Sequence, residues 1–215
     1  MKKYIVAVPL ALVAALFLYG LSGWFDARSE APELRQAADQ LIAQGRGANR
    51  LSKENMQLLL AVEDPSFADN NGTDFSSKGA GKTTITQSLS KRLAFDDFKP
   101  GIQKIRQTGY AIGLKQKLSN DQILALFLAN ASFSGSDHRW TKSFHAASER
   151  FFAIPLQKLD DGRFAMMVAA LIAPANLNLD RPSGKLTERV RRIKRLNAGN
   201  CQPSDHSDVW LEGCK

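Results

Sequence analysis

Apolar residues recur at helical spacing through most of this chain, and the longest uninterrupted run comes first. After Met1-Lys2-Lys3, residues 4–25 carry no charge, and about 20 apolar residues at 1.5 Å rise suffice to cross a hydrocarbon core. Beyond that run, apolar positions at i, i+3 and i+4 predict helices over 33–44, 53–62, 83–93, 102–117, 121–129, 144–152, 161–172 and 186–196. Ser119 followed by Gln122 fits a capping-box start for the fifth of these. No alternating β-branched run of strand length appears, no repeat is visible, and no block is of low complexity. The expected class is mainly α, one helical domain behind one N-terminal transmembrane helix.

Lysines before the apolar run and a large domain after it place the N-terminus in the cytoplasm and the domain outside. Pro9 is tolerable in a membrane helix, and Tyr19, Trp24 and Phe25 suit an outer interface. A cleaved signal peptide is the alternative, but the run is long for an h-region and no A-x-A site follows it, so a retained anchor is expected. The remaining ~190 residues suffice for one domain with its own core. The formal net charge of +8 suits an anionic membrane surface, and nucleic acid is not an expected partner.

Candidate chemistry concentrates in residues 58–91. Leu58, Leu59, Leu60, Ala61 and Val62 deliver Glu63-Asp64 from a buried helix to a loop, where a carboxylate is partly desolvated and raised toward useful basicity. The bland reading is a solvated helix end. The run from Gly79 to Thr84 resembles a phosphate-binding P-loop, but the first glycine of that motif falls on Ser76 and the preceding residues form turns rather than a strand. A nucleotide hydrolase is therefore not expected. Lys82, Lys91, Arg92, Lys99, Lys104, Arg106 and Lys115 follow the acidic pair, and if they converge they suit a diphosphate. Arg189, Arg191, Arg192, Lys194 and Arg195 read as a solvated helix face. Cys201 and Cys214 are the only cysteines and are expected to pair as a disulfide outside the cytoplasm. Zinc with His206 is the alternative, with three ligands at irregular spacing. His138 and His145 read as structural or surface groups.

These residues resemble the glycosyltransferase family 51 domain of monofunctional peptidoglycan glycosyltransferases and class A penicillin-binding proteins. The family signature E-D-x-x-F-x-x-H-x-G appears from Glu63-Asp64 through Phe67 to Gly72, with Asn70 in place of the histidine. The signature G-[GA]-S-T-[IL]-T-Q-Q appears as Gly81-Lys82-Thr83-Thr84-Ile85-Thr86-Gln87-Ser88, with Lys91 following. Weaker similarity extends the resemblance over roughly residues 50 to 196. It implies a lysozyme-like transglycosylase fold, organised as an anchor (1–26), a linker and leading helix (27–50), the domain (51–197) and a tail (198–215).

The resemblance implies inverting transfer between lipid-linked disaccharides in cell-wall synthesis. Glu63 is the general base; Asp64 orients its loop; Thr84 and Gln87 orient the acceptor or cap a helix. Lys91, Lys99 and Lys104 neutralise the lipid pyrophosphate, with or without a divalent cation such as Mg2+ or Mn2+. The implied partners are lipid II, glycan strands, the bacterial inner membrane and other cell-wall synthesis proteins, with the domain in the periplasm or cell exterior. Two departures stand out. Ungapped spacing puts Lys115 where the family has a second glutamate, so Lys115 is expected to mark a changed leaving-group site. The segment between Gly72 and Gly81 is also shorter than is usual. A non-catalytic lipid II or glycan-binding module and a lytic glycosidase stay open as alternatives.

Overall fold

The computed structural model describes residues 2–79 and 83–215, with side chains from Pro9 onward. Gly81 and Lys82 of the Thr/Gln-rich motif lie outside the described residues. The apolar run and the helix predicted over 33–44 are one element, α1 (Lys2–Ala43), about 63 Å long at 1.5 Å per residue. Among the described residues it is the one helix long and apolar enough to cross a membrane. Leu10, Leu12, Val13, Phe17 and Leu18 are 61–68% exposed, so nothing in the protein covers them, whereas Ala27, Ala31 and Ala38 further along are buried. The same helix thus carries exposed bulky side chains at one end and buried small ones against the body.

The change happens where α1 crosses α4 (Gln103–Lys117). A Cβ on Gly109 would overlap the Gly20 carbonyl oxygen, and one on Gly23 would overlap that of Arg106, so the crossing is as close as two backbones allow. Polar contacts flank it: Arg106 pairs with Asp26 at 2.7 Å, Trp24 Nε1 donates to Gln116 Oε1 at 3.0 Å, and Tyr110 Oη donates to Glu30.

Helix α5 (Asn120–Asn130) begins at the predicted Ser119 capping box and buries every residue from Ile123 to Leu128. It is apolar all round because it is surrounded. Phe127, Phe133, Phe144 and Phe164 stack in tilted and edge-on pairs with centroids 5.0–6.1 Å apart. α2 (Lys53–Glu63), α6 (Phe144–Phe152), α7 (Asp161–Ala170) and α8 (Gly184–Asn197) pack around this centre. α7 ends before the predicted residue 172, ahead of Pro174 and the turns around it.

A short two-stranded ribbon accompanies the helices. Ser132–Ser134 (β1) pairs antiparallel with Trp140–Lys142 (β2), Phe133 opposite Thr141. Three-residue strands are too short to show alternation. Their turn is tied instead by Asp137, which takes hydrogen bonds from Arg150 Nη2 and Arg139 Nε. The tail after α8 is folded against the body: Leu211 and Cys214 are fully buried, and Cys201 and Cys214 are joined.

Candidate active site

Glu63 is the last residue of α2, whose buried face is Asn55, Leu58, Leu59 and Val62. That face pins the helix and leaves Glu63 at the floor of a cavity of about 240 Å³, with Lys91, Arg92, Ser88, Phe127 and Arg189 among the walls. The side chain keeps partial access through the cavity while protein surrounds it. Burial pushes its pKa up to about 7; Arg189, Arg92 and Lys91 pull down against that, and Asp64 adds to it. A carboxylate poised near 7 holds a proton weakly enough to lose it and strongly enough to take one.

Asp64 does different work. It is fully buried, and its Oδ1 accepts from Asn70 Nδ2 at 2.8 Å while Oδ2 accepts from the Ile85 amide at 3.0 Å. It therefore ties the Glu63 loop to the start of α3 (Ile85–Leu93), and burial raises it to about 6. Asn70, standing where the signature has histidine, also donates to Ser66 Oγ and accepts from the Gly72 amide. Its amide bridges that loop as a fixed donor and acceptor.

Thr84 and Gln87 form a reciprocal capping box on α3. Thr84 Oγ1 donates to the Gly72 carbonyl, and Gln87 Nε2 donates to Thr108 Oγ1. Both side chains are buried and engaged in holding the helix that carries Lys91 and Arg92; neither lines the cavity. Ser88, one turn before Arg92, accepts from Arg92 Nη1 through its carbonyl and its hydroxyl, which aims that guanidinium along the cavity wall.

Five lysines were candidates for anion binding; Lys82 lies outside the described residues, and the fold separates the other four. Lys91 lines both the Glu63 cavity and a larger cleft of about 660 Å³, which Thr83 and Arg92 also share. Lys104 lines the larger cleft beside Phe95, Phe98 and Pro100. Burial first, then Arg92 and Lys104, lowers the pKa of Lys91, so these cations are close enough to repel one another. Lys99 stands apart, 77% exposed and 3.4 Å from Asp97. Lys115 is also away from both spaces: its Nζ donates to the Phe67 carbonyl at 2.5 Å and to Asn120 Oδ1 at 2.7 Å, and sits 3.9 Å from the centroid of the Phe67 ring. Spacing along α4 gives the residue's position correctly, but its face meets the loop after Asp64 rather than the cavity. Lys115 is a strut for that loop.

Arg189 is the principal residue the sequence reading missed. Together with Arg192 it is buried, at 3% and 8% exposure, instead of lying on a solvated face. Leu186, Arg189 and Ile193 recur at i, i+3 and i+7 on the buried side of α8. That spacing was the available signal. The expectation of solvation holds for Arg191 and Lys194, which are exposed.

Among the described residues no three of His, Cys, Asp and Glu gather as a metal site. Asp64, the carboxylate that acts on Glu63, is tied up by amides, while three cations act on Glu63 itself. This donor set suits an anion and fits a divalent cation poorly.

The cavity thus brings a carboxylate poised near neutrality together with Lys91, Arg92 and Arg189, and comparison with known proteins gives the family. The transglycosylase family pattern matches residues 34–197. A biosynthetic peptidoglycan transglycosylase of Neisseria meningitidis serogroup C is 24% identical over 231 residues, covering 94% of this chain and 97% of that protein. Proteins of the same name from Citrobacter koseri and Klebsiella oxytoca are 25% and 27% identical, over 69% and 64% of this chain. This chain spans 66% and 60% of their lengths. Since the family pattern covers most of the sequence, this chain belongs to the transglycosylase family.

Proposed function

We propose that this protein is a peptidoglycan glycosyltransferase that joins lipid-linked disaccharides by inverting transfer. The observation that carries the reading is the Glu63 carboxyl, raised to about 7 in a cavity walled by Lys91, Arg92 and Arg189. Relatives named biosynthetic peptidoglycan transglycosylase support the substrate class.

In the step proposed, the hydroxyl of an acceptor sugar attacks the anomeric carbon of the donor, and Glu63 takes the hydroxyl proton as the new C–O bond forms. The bond from that carbon to the lipid pyrophosphate breaks, and the electron pair leaves with the phosphate oxygen. Lys91 and Arg92, placed where the cavity meets the larger cleft, meet the charge as it develops, with Lys104 further along. Charge neutralisation is assigned to these side chains; Lys99 and Lys115 are left out, since one is solvated and the other braces a loop. The apolar end of α1 spans the bacterial inner membrane with its lysines inside, so the cleft faces the periplasm beside the lipid.

Incubation of the purified full-length protein with labelled lipid II tests the reading. Polymer is expected; bound but unchanged lipid would indicate a binding module, and cleavage of finished glycan a hydrolase. Glu63→Gln keeps the shape but removes the basic oxygen, so turnover should fall on the order of 100-fold or more with lipid II binding little changed. Undiminished turnover would remove Glu63 from the mechanism.

A further inference from the structure

The tail after α8 does more than end the chain. The segment between Gly72 and Thr83 is short, and the C-terminal tail packs directly against it. The Gly79 amide donates to the Asp205 carbonyl at 2.9 Å, and His206 Nδ1 lies 2.8 Å from the Ser77 carbonyl. Gly79 has φ +74°, and a Cβ there would sit 2.6 Å from Pro203 Cγ. Glycine is needed at that position both for the backbone turn and to admit the tail.

The tail holds its own shape. Cys201 and Cys214 close it, and the buried Asp208 carboxylate accepts from the amides of Ser204, Glu212 and Gly213. Its other side reaches the cavity. Val209 lines the cavity beside Glu63, and its carbonyl accepts from Arg189 Nη1 at 2.7 Å. The Trp210 ring centroid lies 5.3 Å from the same guanidinium carbon, and the Ala169 carbonyl takes Arg189 Nε at 3.2 Å. No hydrogen bond occupies Nη2 among the described residues. Arg189 is therefore a nearly fully buried cation in the wall of the Glu63 cavity, and the tail fixes one side of it.

We propose that the disulfide-closed tail, residues 201–214, is a working wall of the active site, and that through Val209 and Trp210 it sets Arg189 as the positioning residue for Glu63. This rests on Glu63 being the base. The charged groups acting on Glu63 are Arg189 from α8, Arg92 and Lys91 from α3, and Asp64 at the end of α2. Two of the three cations sit on a helix fixed by its own capping box. Arg189 instead depends on the tail, so opening the tail moves one cation and leaves the others in place.

The test reads Glu63 directly. Full-length protein in detergent, labelled with 13C at glutamate carboxyls and assigned by loss of one signal in Glu63→Gln, gives the titration midpoint of Glu63 alongside the pH profile of kcat/KM on lipid II. Removing a cation beside a carboxylate disfavours its charged form, so Arg189→Met should raise the midpoint from about 7 by about one pH unit. The acid limb of kcat/KM should rise with it. Cys201→Ser with Cys214→Ser should move both in the same direction by less, and Arg189→Lys should restore part of the shift. If Arg189→Met does not fold, the cysteine pair carries the test, because it substitutes no side chain that lines the cavity. Lower thermal stability with an unmoved Glu63 midpoint would overturn the proposal and leave the tail a structural appendage. If the midpoint moves as expected but lipid II is never polymerised, the proposal for the tail stands and the assignment of activity fails.

Discussion

At the scale of single residues, burial decides most of the chemistry. Glu63 and Asp64 are raised to about 7 and about 6, in each case chiefly because protein replaces water around the charged form. A carboxyl whose folded pKa lies above its unfolded one binds protons more tightly in the native state. Stability therefore falls as pH rises from the unfolded value through the folded one. Glu188 and Asp137, held at about 2 by hydrogen bonds from Arg191 and Arg139, contribute with the opposite sign, and only below their unfolded values of 4.5 and 3.8. The two windows separate. Between pH of about 5 and 7.5 the melting temperature of the full-length protein should drop by about 3–6 °C, and Glu63→Gln should flatten most of that drop. Differential scanning fluorimetry across pH reads this, and a profile that Glu63→Gln leaves unchanged would mean that the carboxyl is well hydrated.

Lys115 shows what spacing in a sequence can and cannot convey. Counting from Lys91 gives its place on α4, yet which neighbour its helix face meets depends on how the loop after Asp64 folds back. Lys115→Glu would lose the Phe67 and Asn120 hydrogen bonds and set a carboxylate near Asp64 and Asp69, whose charges already act on this ammonium. The expected outcome in urea denaturation is a loss of about 2–4 kcal/mol, with no gain of polymerising activity in the presence of Mg2+ or Mn2+. A gain would mean that position 115 reaches the cavity after all.

Elements were legible where a local rule sufficed. The Ser119 box, the apolar α5 and the helical stretches around Glu63 all follow from periodicity and capping residues, because those signals are confined to a few neighbouring residues. The long α1 was not legible as one piece. Its charged residues after Trp24 end the apolar run, so the sequence read as an anchor (1–26) and then a linker with a leading helix (27–50), but Asp26 and Glu30 are taken up by Arg106 and Tyr110 of another helix. Arg189 escaped for a related reason: an arginine at an apolar register position looks surface-exposed until the tail supplies Val209 and Trp210. The glycines at the α1–α4 crossing give a test with an informative sign. In an isolated helix, Gly109→Ala would stabilise by about 1 kcal/mol. Here the added methyl meets the Gly20 carbonyl, so a net loss of about 1–3 kcal/mol is expected in chemical denaturation. A gain would mean that the two helices part without penalty.

For the whole molecule, one continuous α1 carries the exposed apolar run into the packing against α4, whose Lys104 and Gln107 line the larger cleft. The described large apolar side chains of α1 that are more than 60% exposed, Leu10, Leu12, Val13, Phe17 and Leu18, all precede Gly20, which lies against Ile105 of α4. Anchoring and folding therefore divide at that point along one helix. Removing residues 1–18 should take away the hydrocarbon-facing side chains while keeping Gly20, Gly23, Asp26 and Glu30 in their contacts. Such a protein should no longer float with liposomes at physiological salt, yet melt within a few degrees of the full chain. Removing residues 1–30 deletes the crossing itself and should expose the α4 face that holds Gly109 and Gly113, so loss of cooperative melting is expected. The first truncation also separates chemistry from access to lipid. Turnover of a short-chain, water-soluble lipid II analogue should be close to that of the full chain, while turnover of membrane-embedded lipid II should fall by at least about tenfold as the local concentration at the bilayer is lost. Equal losses on both substrates would show that α1 shapes the catalytic cavity itself and is more than the part that holds it at the membrane.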